Sequence, residues 1–192
     1  MASSEKTRTS RSNSIQNVTL ALLIIVGVGV LVLLQTKDNI MNLTGQAMLG
    51  KGAKAPDFTL PGLNGEMIRL SDQKGKVVFL NIWATWCPPC VDEMPSMEKL
   101  YQQLKGDNFE MIAVSLDQNG SEAVIPFMRK HKLNFTALID SKGTLKNKYQ
   151  TTGVPETFII DKNGIIVEKV IGPRDWATPE AISSFQNLMK KN

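Results

Sequence analysis

The chain is poor in cysteine and histidine, with two cysteines and one histidine in 192 residues. Cys87 and Cys90 share one short window. A small disulfide-stapled fold needs several pairs spread along the chain, so that class is excluded. A structural zinc site needs four ligands, and His131 is the only further residue of the Cys/His type. A c-type haem attachment needs CxxCH, and Val91 stands where the His would be. Charge of one sign is also scarce. The formal net charge is +4 and no Lys/Arg stripe is interleaved with aromatics, which excludes nucleic acid as a partner. No glycine-rich nicotinamide or flavin motif is present and no internal repeat occurs. Hydrophobic residues at 42% and charged residues at 21% match an ordinary globular chain. The length suits one domain plus an appendage.

The appendage comes first. Residues 1–17 are polar and carry Lys6, Arg8 and Arg11 against the single acid Glu5. Val18 to Leu34 is apolar without a charge, close to the minimum for a transmembrane helix. A core helix would show a polar face, and this run has none. A cleaved signal peptide would end in a small-x-small site, and Leu33-Leu34-Gln35-Thr36 is not one. No Cys follows that a lipid could modify. The expectation is an uncleaved anchor over 18–36, in contact with membrane lipid, after a cytoplasmic tail over 1–17. Basic residues ahead of the span keep the N-terminus inside. The rest of the chain then faces the periplasm or extracytoplasmic side of a bacterial cytoplasmic membrane. Residues 37–50, with Gly45 and Gly50, read as a linker to a domain over 51–192.

Within that domain, Asp57–Leu60 and Met67–Leu70 flank Pro61–Gly65 and predict a hairpin. Lys76–Trp83 and Glu110–Leu116 read as buried strands, and Phe135–Ile139 as a short one. Glu156–Asp161 and Ile165–Ile171, joined at Lys162-Asn163-Gly164, predict a second hairpin. Helices are predicted over Cys87–Leu104, Ser121–His131 with a Ser cap, Thr144–Tyr149, and Thr178–Lys190 with Thr178 as cap, Pro179 first and Glu180 in the first turn. This alternation predicts an α/β domain with a mixed sheet flanked by helices.

Cys87 ends the loop after a buried strand and opens a helix. At the N-cap its sulfur faces unpaired N–H groups and the positive end of the helix dipole, which favours the nucleophilic thiolate. Cys90 lies one turn on. Cys87 is the expected attacking thiol on a partner disulfide, and Cys90 the thiol that resolves the mixed disulfide. Pro88 and Pro89 are tolerated in a first turn, but they bring no N–H. Only the Cys90 N–H remains near the sulfur. The thiolate is therefore under-stabilised, and the pair is expected to lean reducing.

Trp83-Ala84-Thr85-Trp86-Cys87-Pro88-Pro89-Cys90, Ala55-Pro56-Asp57-Phe58 and Gly153-Val154-Pro155-Glu156-Thr157 resemble thioredoxin-like proteins of the TlpA/ResA type. They also resemble the CcmG/DsbE thiol reductases of cytochrome c maturation. Pro95 fits the same pattern and implies a kinked helix. The resemblance implies a thioredoxin-like fold with an N-terminal β-hairpin and a helix–strand insertion around Gly120–Asn134, between two central strands. It also implies a cis Val154–Pro155 bond, with Val154 presenting its backbone to an extended substrate. Trp86, Pro88, Pro155 and Glu156 would join that substrate-contact surface. Glu93 would take a proton for Cys90. Asn81, at a position where thioredoxin often has a buried Asp, cannot titrate. The implied partners are extracytoplasmic protein disulfides, apocytochrome c among them, and a membrane electron donor of thiol-reductase type. No cofactor beyond the Cys87–Cys90 disulfide is expected.

Three other functions fit a dithiol on such a fold. A disulfide-forming oxidant is disfavoured by the two spacer prolines. A peroxidase usually has Thr three residues before its reactive Cys, whereas Thr85 is two before Cys87. A pure binding module would not need the thiols.

Overall fold

A computed structural model describes residues 26–32 and 49–191. Of the expected span over 18–36, only the helical residues 26–32 are described. The tail over 1–17 and nearly all of the linker lie outside the described residues. Among the described residues, no helix is long and apolar enough to cross a membrane. The chain forms two compact units, Met1–Ala47 and Met48–Asn192.

The second unit opens with a small antiparallel sheet of β1 (Thr59–Pro61) and β2 (Met67–Arg69), followed by the 3-10 turn Leu70–Gln73. Next come β3 (Val77–Trp83), α1 (Pro88–Leu104), β4 (Phe109–Ser115), α2 (Ser121–His131) and β5 (Thr136–Ile139). The chain then forms α3 (Thr144–Lys148), β6 (Glu156–Ile160), β7 (Ile166–Ile171) and α4 (Pro179–Lys190). The five longer strands make one mixed sheet in the order β5-β4-β3-β6-β7. β3 runs parallel to β4 and antiparallel to β6.

β3 is the central strand and every one of its residues is buried, which is why it reads as an unbroken apolar run rather than an alternating one. Its side chains still alternate between the faces. Val77, Phe79 and Trp83 pack with Met94, Met97 and Leu100 of α1 and with Trp176 and Phe185. Val78, Leu80 and Ile82 pack on the other face with Phe58, Leu60, Leu145, Tyr149 and Phe158. Helices α1, α2 and α4 thus share one face, and the hairpin and α3 share the other.

Strand and helix boundaries fall within a residue or two of those predicted. The inserted helix and strand are α2 and β5; along the chain they stand between β4 and β6, the two strands that flank β3, and β5 pairs with β4 at the sheet edge. The cap of α2 also differs. Gly120 is its N-cap with φ 56, and Ser121 is the first helical residue. The positive φ at Gly120 favours glycine, and a Cβ there would also stand a tight 3.3 Å from Ser141 Oγ. Thr178 caps α4 as predicted, accepting a hydrogen bond from the Ala181 N–H at 3.2 Å.

Candidate active site

β3 delivers the chain to the loop Ala84–Trp86, and Cys87 closes that loop as the N-cap of α1. Cys87 and Cys90 form a disulfide. The Cys90 N–H points at Cys87 Sγ from 3.3 Å. Pro88 and Pro89 fill the first two helical positions, so no other first-turn donor reaches the sulfur. Cys90 is fully buried and Cys87 is 4% exposed, whereas Trp86 beside it is 65% exposed. Pro88 is exposed as well.

The second wall of the site is the start of β6, brought alongside because β6 pairs antiparallel with β3. The Val154–Pro155 bond is cis, as the resemblance implies. The Val154 carbonyl oxygen lies 3.5 Å from Cys87 Sγ. A carbonyl oxygen facing a sulfur disfavours the thiolate and accepts from a thiol, so this contact acts in the same direction as the missing proline donors.

Behind the pair stands Glu93, 3% exposed. Oε1 accepts from Asn81 Nδ2 at 2.9 Å. Oε2 accepts from Trp176 Nε1 at 3.1 Å and from the Arg174 backbone N–H at 3.3 Å. Burial raises its pKa above the usual carboxylate value, and the bonds from Trp176, Asn81 and Arg174 offset part of that rise. Asn81 Nδ2 also donates to Thr157 Oγ1 at 2.9 Å. The amide that cannot titrate therefore serves as a donor to the carboxylate that can.

A protein with a lone dithiol on this mixed sheet has recognisable relatives. The AhpC/TSA family matches residues 51–169. The thiol-disulfide oxidoreductase ResA of Bacillus subtilis is 37% identical over 146 residues, covering 76% of this chain and 79% of the relative. The chain belongs to the AhpC/TSA family, among its ResA-type thiol-disulfide oxidoreductases. A Chlorobium tepidum crystal structure described as thiol:disulfide interchange protein DsbE matches with a TM-score of 0.63 and 35% identity, over 73% of this chain and 96% of that one. StoA of Bacillus subtilis matches with a TM-score of 0.58 and 29% identity, over 70% and 98% of the two chains. This chain is thus a thioredoxin-like enzyme of thiol-disulfide exchange, acting on protein thiols and disulfides through a redox-active disulfide. Among the described residues no group of three or more His, Cys, Asp or Glu is arranged to hold a metal.

One residue of this ResA-type site departs from expectation. Glu156 follows Pro155 in sequence but is fully buried. Alternation along β6 sends Thr157 and Ile159 toward α1, and sends Glu156, Phe158 and Ile160 to the opposite face. Lys169 Nζ lies 2.7 Å from Glu156 Oε1 as an ion pair, although neither carboxylate oxygen makes a directional hydrogen bond. A substrate on the dithiol face cannot touch this carboxylate. The expected contact is corrected to a buried ion pair behind the Pro155 loop.

Two further residues matter that the sequence alone does not single out. Trp176 supplies the donor to Glu93. Asp117, buried at the end of β4, holds the loop before Cys87. Its Oδ2 accepts from the Thr85 N–H at 2.9 Å and from Ser115 Oγ at 2.6 Å, and its Oδ1 accepts from Thr85 Oγ1 at 2.5 Å. The Thr85 hydroxyl is therefore committed to Asp117 rather than to the cysteine. A lone Asp just beyond an apolar strand was the only signal in the chain. His131, at the end of α2, stacks on Phe127 with centroids 4.4 Å apart.

Proposed function

We propose that this enzyme reduces disulfides of extracytoplasmic proteins, apocytochrome c among them, while anchored in the membrane through residues 18–36 with its N-terminus in the cytoplasm. The observation that carries the reading is the environment of Cys87. One backbone donor and one facing carbonyl leave its thiolate poorly stabilised, and a poorly stabilised thiolate makes the dithiol a better reductant. The exposed Trp86 and Pro88 flank the nearly buried sulfur and form the surface a partner would cover. An extended partner segment would lie along Val154 and Pro155 as an added strand.

In this mechanism the Cys87 thiolate attacks one sulfur of the partner disulfide. The Cys87–partner S–S bond forms and the partner's second sulfur leaves as a thiolate, which takes a proton from solvent. Cys90 then gives its proton to Glu93 and attacks Cys87. The Cys87–Cys90 bond forms, the mixed disulfide breaks, the partner's first sulfur leaves as a thiolate that is protonated from solvent, and the partner departs with both cysteines reduced. Two electrons have passed to the partner, and a membrane protein of thiol-reductase type returns them to the enzyme. Glu93 suits the proton-accepting role because burial keeps its carboxyl more basic than usual.

The test is the reduction potential of the full chain in detergent, equilibrated against glutathione or dithiothreitol. A value near the thioredoxin end, around −270 mV, supports the reductant. A value near the strong-oxidant end, around −120 mV, assigns the enzyme to disulfide formation instead.

A further inference from the structure

A partner docked over Trp86, Pro88 and Val154 would seal the dithiol face at the moment when Cys90 must lose its proton. Glu93, the acceptor in the mechanism above, is reached from another side. The residue borders an open cleft of about 390 Å³ together with Asp92, Ser96 and Lys99 of α1 and with Pro173, Arg174 and Asp175 of the segment between β7 and α4, and its Oε2 is bonded to the Arg174 N–H of that wall. Trp86, Cys87, Cys90, Val154 and Pro155 do not line this cleft.

The two walls of the cleft are joined by specific bonds. Ser96 Oγ donates to the Glu93 carbonyl at 2.8 Å and accepts from the Trp176 N–H at 3.1 Å, which ties α1 to the segment after β7. The Arg174 guanidinium is drawn outward, 2.8 Å from Glu168 Oε1 and 5.0 Å from the Trp176 ring centroid. Among the described residues Glu93 makes no ion pair. Its direct partners are neutral: the Asn81 amide, the Trp176 indole and the Arg174 backbone N–H. Asp92, Lys99, Arg174 and Asp175 at the cleft are all exposed. Only the thin wall of Arg174 and Ser96 thus separates the buried Glu93 from a polar cleft open to solvent, and the exposed cations of that cleft are not ion-paired to it.

We infer that this cleft is a rear exit through which Glu93 passes the Cys90 proton to solvent while a partner protein still covers the dithiol. The inference rests on Glu93 being the proton acceptor. Cys90 loses a proton as its sulfur bonds to Cys87, Glu93 carries that proton, and a water or buffer base in the cleft removes it. A small disulfide leaves the front open and does not need the rear exit.

The experiment fills the cleft from either rim in the full chain, with Lys99→Trp on α1 and separately Asp175→Trp on the facing segment. Each protein is reduced and mixed with insulin or with oxidised glutathione, and formation of the Cys87–Cys90 disulfide is followed in single turnover. Variants are accepted only if they unfold at the wild-type denaturant midpoint. The expected result is slowing by insulin of at least about threefold in either variant, with a larger solvent deuterium isotope effect and glutathione rates within about twofold of wild type. Wild-type rates with insulin in both variants overturn the rear exit, as does equal slowing with both substrates. Glu93→Gln, run alongside, separates the two readings. If it reacts at the wild-type rate with both substrates, the acceptor role itself falls. If it is slow while the Trp variants are not, only the exit falls.

Discussion

Trp176 Nε1 donates to Glu93 Oε2 at 3.1 Å across 83 residues of chain. Indole nitrogen is a donor only, so this bond favours the carboxylate over the carboxylic acid. Trp176→Phe keeps the ring in the core and removes the donor. Glu93 should then hold its proton to higher pH, the acidic limb of the exchange-rate profile should move to higher pH, and stability near neutral pH should fall by about 1–2 kcal/mol. A pH–rate profile superimposable on wild type would show that Glu93 does not govern the rate.

Glu93 also leaves a mark on folding. Its folded pKa lies above the usual value of 4.5, with burial the largest cause. The folded protein therefore binds this proton more tightly than the unfolded chain. Stability from the protonated carboxyl is complete below the unfolded value near 4.5 and is lost as pH rises through the folded pKa. Glu93→Gln lacks this titration. Urea denaturation across that window should show wild type losing stability relative to the variant as pH rises. Parallel curves would contradict the raised pKa.

The spacer can be tested by restoring a donor. Pro89→Ala puts an N–H at the second helical position, where an N-cap side chain normally finds its partner. One more hydrogen bond to the thiolate, worth about 1–1.5 kcal/mol, should lower the Cys87 pKa and make the couple more oxidising by roughly 20–30 mV. Thiol titration and redox equilibrium with glutathione measure both. In the wild type, Cys87 ionised well below pH 6 would defeat the argument.

The loop before Cys87 depends on Asp117. Asp117→Ala leaves the Thr85 N–H and hydroxyl and the Ser115 hydroxyl without their acceptor. Stability should fall by about 2–3 kcal/mol, and Asp117→Asn, which retains one acceptor oxygen, should recover part of the loss. Reduction of a protein disulfide should slow in step, because Trp86 and Cys87 follow this clamp directly. Full activity with the lost stability would confine Asp117 to folding.

Trp86 is a large aromatic side chain left 65% exposed beside a nearly buried sulfur. Trp86→Ala should raise KM for a protein disulfide roughly tenfold with little change in kcat. The rate with a small disulfide should stay as it was. Equal effects on both substrates would argue against a docking role.

Much of this was legible in the chain. β3 announced itself because a strand buried on both faces is apolar at every position. The dithiol was plain because its two cysteines are adjacent on one helical turn and no other cysteine competes for them. Glu93 could be placed one turn further along the same helix. Glu156 could not be placed correctly, because adjacency to Pro155 says nothing about which face an alternating strand turns toward. That depends on the register with β3, here Ile82 opposite Glu156. Trp176 and Asp117 were hidden for a related reason. Each acts through a partner 83 or 32 residues away, and only the packed sheet and helices bring them together.

Cys87 and Val154 reach each other because β3 ends where its antiparallel neighbour β6 begins. Five register pairs fix that meeting point, from Val78 with Ile160 to Ile82 with Glu156. The helix spacer takes no part in the ladder. The spacer can therefore change without disturbing the strand pairing that brings Val154 to the sulfur. A lineage that exchanged Pro89 alone for a donor-bearing residue would shift its electron chemistry and leave Pro88 and the Val154 edge where they stand.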